Sequence, residues 1–255
     1  LELQKQFIEI AGLSTIDEVK SMSVEDVLAT QQKQMVMPTK AFDFYSPTAG
    51  GAAIGQDILA LAARSPIPLV VGTNRDENKL WSAFDETIIN ADNSRWEEFT
   101  EEIFGVRAQQ ARNTYKALRP DESLGGLMSA VSTDTGFRQP AQRLCENRVV
   151  NDTPTWMYWF TWPSPAFGGV IGCCHALDIP FAFDNLHSEG VSMLTGDGIE
   201  RADIANRFAS EIVAFAVHGQ PSWSQFNTND RPTLIINADT QLVHDPEPEI
   251  RVLFA

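Results

Sequence analysis

Two stretches of this chain gather side chains capable of acid–base chemistry, and each follows a segment that reads as a strand. The first, residues 72–81, runs Gly72-Thr73-Asn74-Arg75-Asp76-Glu77-Asn78-Lys79-Leu80-Trp81. The second carries Gly168-Gly169 and then Gly172-Cys173-Cys174-His175-Ala176-Leu177-Asp178-Ile179-Pro180-Phe181-Ala182-Phe183. Open α/β sheets collect functional groups on loops at the carboxyl ends of their strands. A carboxylate from the first loop, Asp76 or Glu77, would accept from one nitrogen of His175, fix its tautomer and leave the other nitrogen as a general base. On spacing alone a histidine beside glycines is more often structural, and Asp76-Glu77 more often a solvated turn. A thiol offers a second arrangement, with Cys174 as nucleophile served by His175. Neighbours in an extended chain point to opposite sides, so these two do not easily share a hydrogen bond, and buried packing of the cysteines is the simpler account. His187, His218 and His244 have no paired acids at useful spacing, and no two histidines have metal-ligand spacing.

The elements that must hold these loops follow from periodicity. Leu3, Phe7, Ile10 and Ala11 describe a helix that stops at Gly12, and Ser23 with Asp26 caps a second helix running to about Lys33. A loop with Pro38 and Pro47 follows, then a helix over 56–64, ended by Ser65-Pro66, and a short buried strand over 67–72. Ser94-Arg95-Trp96-Glu97 reads as a capping box for a helix with Trp96, Phe99 and Ile103 inward, closed by Gly105. Another helix spans about 107–118, and Phe137, Ala141, Leu144 and Cys145 form a further helical face. Residues 155–161, rich in Trp, Tyr and Phe, form the strongest strand candidate. Ile204, Phe208, Ile212 and Phe215 mark a long amphipathic helix ending at Gly219-Gln220-Pro221, and 233–237 and 241–244 read as closing strands. Strands separated by helices imply an α/β fold with a mostly parallel sheet of about four visible strands and helical insertions.

Both loops carry a family resemblance. Pro68-Leu69-Val70-Val71-Gly72-Thr73-Asn74-Arg75-Asp76-Glu77 resembles the segment around the acid of type B carboxylesterases, the cholinesterase and para-nitrobenzyl esterase family, and the segment from Gly172 to Phe183 is similar to that family's histidine segment. Thr133-Asp134 through Pro140-Ala141, and Phe215-Ala216-Val217-His218-Gly219-Gln220-Pro221, resemble two of its helices, so the likeness runs from about Leu28 to Phe254. Asn78 stands where the family usually has glycine, and Asp178 where it usually has glutamate. The resemblance implies an α/β-hydrolase fold, with Glu77 and His175 as acid and base of a Ser-Glu-His triad that cleaves a small-molecule carboxylic ester without a cofactor or metal. In that fold the order along the chain is serine, acid, histidine. No Gly-x-Ser-x-Gly and no His-Gly-Gly occurs; Gly190-Val191-Ser192 and Ser123-Leu124-Gly125 supply only half the pattern, and the glycine pairs at 50, 125 and 168 read as loops. The expectation is therefore that residues 1–255 form the C-terminal part of one hydrolase domain, inactive alone. Its N-terminal part would bring the nucleophile. That part, or a second copy of the chain, would cover the sheet edge. Trp81, Phe84 and Phe183, shortly after the acid and the histidine, are expected to border an apolar substrate site. A binding or adhesion module of cholinesterase type is the alternative, to be decided by the residue at the nucleophile position.

Composition agrees with a globular protein and disfavours other classes. An apolar fraction of 43% across 255 residues is enough for a real core. A formal charge of −15, from 34 acidic and 19 basic residues, would repel nucleic acid and anionic membranes, so neither is an expected partner. No stretch approaches the roughly 18 consecutive apolar residues of a membrane span, and the first residues do not resemble a signal peptide. Three cysteines fit neither a disulfide framework nor a zinc site, which suits a reducing compartment such as the cytoplasm.

Overall fold

The computed structural model describes residues 2–35, 49–51 and 54–255, and the expected loop with Pro38 and Pro47 lies outside them. The chain divides into two compact units, Leu1–Ile58 and Leu59–Ala255. In the first, the helices Glu2–Ile10 and Val24–Met35 fall where periodicity places them. Gln34 ties them together by donating to the Leu3 carbonyl at 2.9 Å. Between them a short helix, Ile16–Val19, is held by a reciprocal capping box of Thr15 and Glu18.

The second unit is built on one four-stranded sheet: β1 Leu69–Asn74, β2 Thr155–Phe160, β3 Pro232–Ile236 and β4 Gln241–His244, in that spatial order. β1, β2 and β3 are parallel and β4 returns antiparallel. Parallel neighbours require helical crossovers that cover the sheet, and the sequence supplies them. Along β2 the side chains alternate. Trp156, Tyr158 and Phe160 pack into a core with Phe181, Ile204 and Phe208, while Met157 packs on the opposite side with Ala141, Cys145 and Phe226. The first core includes the inner stripe of the Arg201–His218 helix, which ends as expected at Gly219 in the left-handed conformation, φ +72°. A third core, with Trp96, Tyr115, Leu127 and Val131, closes the helical insert between β1 and β2.

Three expectations about elements are corrected. The first strand begins at Leu69, two residues later than its apolar run, because Pro68 has no N–H to give the ladder; Ile67, between two prolines, stays 70% exposed. The helix expected from Ser94 is capped by Asp92, whose carboxylate accepts from Arg95 N at 2.9 Å, and spans Asn93–Phe104. Gly125 and Gly126 are helical, in the first turn of Leu124–Thr133 with Ser123 as cap. Each glycine costs about 1 kcal/mol of helix propensity. At Gly125 close packing requires it, since a Cβ there would lie 2.1 Å from the Ile88 carbonyl oxygen.

Candidate active site

The carboxyl ends of β1 and β2 are stitched together residue by residue. Arg75 N donates to the Phe160 carbonyl at 2.9 Å, Asp76 N to that of Cys173 at 2.9 Å, and His175 N to that of Glu77 at 3.2 Å. Asn74, the last residue of β1, reaches across with its amide to the Cys174 carbonyl at 2.8 Å and to Asp178 Oδ1 at 3.1 Å. Tyr158 of β2 donates to Asp178 Oδ2 at 2.8 Å. Asp178 thus joins both strands to the histidine segment. The glycine before the cysteines is required twice over. Gly172 sits at φ +52°, and a Cβ there would stand 2.7 Å from Asp76 Oδ2. Directly after the histidine, Ala176 takes φ +65°, a left-handed conformation costing a β-carbon residue about 1–2 kcal/mol. Local strain of this kind persists only where the surroundings over-determine it.

This stitching separates the roles of the two adjacent carboxylates. Asp76 turns inward and accepts from Cys173 N at 3.0 Å. Glu77 turns to the histidine: its Oε2 lies 2.6 Å from His175 Nδ1, while Oε1 accepts from Asn74 N at 2.7 Å. The Glu77 side chain is 7% exposed and that of His175 43%. An ionised carboxylate can only accept, so Nδ1 carries the proton of this bond and Nε2 is the nitrogen left to do chemistry. Burial pushes the Glu77 carboxyl above its ordinary value of 4.5, and nearby Asp178 adds to this; the Asn74 N–H and His175 oppose it without cancelling it.

That direction has a consequence for stability. The folded chain binds the Glu77 proton more readily than the unfolded chain does. Its contribution is therefore full below 4.5 and is lost as pH rises through the raised folded value. Glu77→Gln cannot ionise, so it is expected to flatten the fall in stability just above pH 4.5, read as urea midpoints across a pH series. An unchanged slope would assign that titration to another group.

Aromatic rings wall the imidazole. Trp81 lies with its centroid 5.1 Å from that of His175, Phe137 at 5.4 Å, and the two aromatic rings stack on each other at 6.4 Å. A hollow of about 430 Å³ opens beside them, lined by Thr73, Glu77, Gly136, Phe137, His175 and Ile179 among others. Of the three residues expected to border a substrate site, the structure brings only Trp81 to the pair. Phe84 packs edge-on against Phe167 at 5.6 Å and Phe183 is 73% exposed; none of the three lines this hollow. Phe137 was legible only as part of a helical face, since its contact with His175 depends on tertiary packing. A larger cavity, about 650 Å³, lies on the other side of the acid loop, between Lys79, Arg119, Glu122 and Val170.

The thiols are placed for packing. Cys173 and Cys174 are both fully buried, and burial pushes the Cys174 thiol up to about 11, so almost none is thiolate at neutral pH. Among the described residues no group of three or more His, Cys, Asp or Glu side chains is arranged to hold a metal ion, and no helix is long and apolar enough to cross a membrane.

Known proteins share this arrangement of elements. The family described as the carboxylesterase family matches residues 7–251. The chain is 28% identical over 262 residues to the para-nitrobenzyl esterase of Bacillus subtilis (strain 168), covering 96% of this chain and 51% of that protein. It is also 28% identical over 181 residues to the phenmedipham hydrolase of Pseudarthrobacter oxydans, covering 68% of this chain and 36% of that protein. Among solved structures, a para-nitrobenzyl esterase superposes with a TM-score of 0.75 at 25% identity, over 98% of this chain and 52% of that one. A Geobacillus stearothermophilus carboxylesterase shares the fold with a TM-score of 0.80 at 21% identity, over 100% of this chain and 54% of that one. The chain belongs to the carboxylesterase family and has an α/β-hydrolase fold; it spans about half the length of the para-nitrobenzyl esterase it matches.

Proposed function

We propose, from this family membership, that the chain is the C-terminal part of a single hydrolase domain that cleaves carboxylic esters, supplying Glu77 and His175 to a Ser-Glu-His triad. The observation that carries the reading is the 2.6 Å contact between His175 Nδ1 and a buried glutamate whose other oxygen is pinned by a backbone N–H. The serine hydroxyl, from a preceding segment, attacks the ester carbonyl while Nε2 of His175 takes its proton. The imidazolium, held by Glu77, then protonates the leaving alcohol. Water repeats the sequence on the acyl-enzyme and releases the acid. Backbone amides of the preceding segment would hold the oxyanion. The reading calls for no cofactor. Trp81 belongs to the substrate pocket in it; Phe84 and Phe183 would join only as part of a wider rim.

The sheet supports the same division. Among the described residues no strand pairs with the outer edge of β1, and Leu69, Val70 and Val71 on it are only half-buried. A flat apolar edge invites pairing. In the parent protein the preceding segment takes that place, and in its absence a second copy does.

One preparation tests both parts. The chain alone is expected to hydrolyse a chromogenic short-chain ester no faster than its His175→Ala variant, with turnover appearing once the serine-bearing segment is supplied. Size-exclusion chromatography with light scattering is expected to show association, either with itself or with a co-purified polypeptide identified by mass spectrometry. A monodisperse 28.2 kDa monomer overturns the edge argument. Robust turnover by the chain alone that is lost in Cys174→Ser overturns the serine reading.

A further inference from the structure

Between the helices Leu124–Thr133 and Gln139–Val150 the backbone does not break; it passes through a five-residue π-helical turn, Asp134–Arg138. Such turns are rare and persist where something compensates for the poorer hydrogen bonding. Here the compensation is a set of buried charges at both ends of the turn. Asp134, 1% exposed, accepts from Tyr115 OH at 2.7 Å and lies 3.8 Å from Arg138. Arg138, 2% exposed, donates to Glu247 Oε2 at 2.7 Å and to the Pro246 carbonyl at 2.5 Å, with its guanidinium 3.8 Å above the centre of the Trp159 ring. Arg119 approaches the same Glu247 at 3.5 Å. Two acids and two arginines balance. Glu247 itself holds φ +54°, a left-handed conformation uncommon outside glycine, at the start of the Pro248–Leu253 helix.

A buried ionic cluster is an expensive way to gain stability; apolar residues of similar volume often do as well or better. What this one does is fix a single path for five residues whose middle, Gly136 and Phe137, faces the hollow beside His175.

We propose that the π-helical turn Asp134–Arg138 is a positioning element for the histidine, setting Phe137 against the His175 ring, and that Glu247, through Arg138, is a remote positioning residue for the site. The consequence for catalysis rests on the reading of His175 as the general base; the geometry does not, and the experiment reads the geometry. The carbon-bound ring protons of His175 lie beside Phe137 and Trp81 and carry their ring-current shift, so NMR of the chain, with His175→Asn to assign the signals, reports the packing directly. Phe137→Leu is expected to move those signals toward the positions of an unstacked imidazole. Glu247→Gln, which touches no ring at the site, is expected to move them the same way by a smaller amount while leaving the signals of His187 and His218 in place. In the Phe137→Leu background it is expected to add nothing, because both changes act through one contact. Arg138→Lys, which keeps the charge but not the fork that reaches both Glu247 and the Pro246 carbonyl, is the second route should Glu247→Gln fail to fold, with the same shift expected. A folded Glu247→Gln or Arg138→Lys chain whose His175 signals stay at wild-type positions overturns the proposal. Absence of ester cleavage in the longer polypeptide, with the shifts present, would overturn the proposed function and leave this inference standing.

Discussion

In the proposed longer polypeptide, with its serine supplied, His175→Ala is expected to lower kcat on a chromogenic ester about 10⁶-fold and Glu77→Gln about 10⁴-fold, as corresponding changes do in other serine triads. At 1.36 kcal/mol per tenfold these are losses of about 8 and 5 kcal/mol of transition-state stabilisation. The difference has a physical source. Without the imidazole nothing accepts the hydroxyl proton, whereas with glutamine at 77 the imidazole remains but loses the charge that holds Nδ1 protonated. His175 is 43% exposed, so its removal leaves the fold intact and the loss falls on chemistry with little change in KM. Asp76→Asn is the informative contrast. The Asp76 carboxylate accepts from Cys173 N and has no bond to the imidazole, so any loss there comes from loosening the histidine segment and appears as reduced stability as well as reduced rate. A His175→Ala enzyme within tenfold of the wild type would remove the triad assignment.

The acid and histidine segments were legible because their information is local. A strand, a turn and a charged or glycine-framed motif lie within a dozen residues of one another, and composition marks β2 as a strand wherever it sits in the fold. The bond between Glu77 and His175 spans 98 residues, and only the resemblance assigned it to Glu77 rather than Asp76. Geometry supplies the reason the motif alone cannot: Asp76 is occupied by Cys173 N. Proximity in sequence to the acid and the histidine brings Trp81 against the imidazole but places none of Trp81, Phe84 and Phe183 in the lining of the hollow. Short helices, Lys79–Ser82 and Ile179–Ala182, follow the acid and the histidine, and the residues just beyond them do not line the hollow. The π-helical turn was illegible for a different reason. Its arginine is held by a glutamate 109 residues away, and no local propensity encodes that pairing. The helical glycines at 125 and 126 failed in the same sense: propensity argued against both, and at Gly125 the close approach of the Ile88 carbonyl decided.

Arg148→Met is expected to destabilise the chain by about 3–5 kcal/mol, because it removes five hydrogen bonds from one buried charged group, each worth about 1.5–3 kcal/mol before relaxation. Arg148 is 2% exposed, on the Gln139–Val150 helix. Its Nε donates to Thr155 Oγ1 at 2.7 Å, one terminal nitrogen to the carbonyls of Ala62 at 2.7 Å and Ser65 at 3.2 Å, and the other to those of Ile67 at 2.6 Å and Pro154 at 3.3 Å. These oxygens belong to the chain entering β1 and the chain entering β2, and the first bond between the strands, Leu69 N to the Pro154 carbonyl at 3.0 Å, lies between them. Methionine fills much the same volume, so little cavity cost is added. The loss comes from the Ser65 and Ile67 carbonyls, which lose their donor at roughly 1–3 kcal/mol each before relaxation, and from the charged bonds to the Ala62 and Pro154 carbonyls, which keep only Ser65 N and Leu69 N. For a chain of this size the corresponding fall in Tm is about 6–20 °C. Arg148→Lys keeps the charge but concentrates its donors at one point, so it cannot reach all five oxygens and should fall between the two. The site at the opposite end of the strands is held by its own bonds from Asn74 and Asp76. In the proposed longer polypeptide, kcat per folded molecule is therefore expected to stay near wild type while urea or thermal unfolding shifts. A stability loss below about 1 kcal/mol, the scale of a single exposed hydrogen bond, would show that this arginine is not what holds the entry to β1 in register.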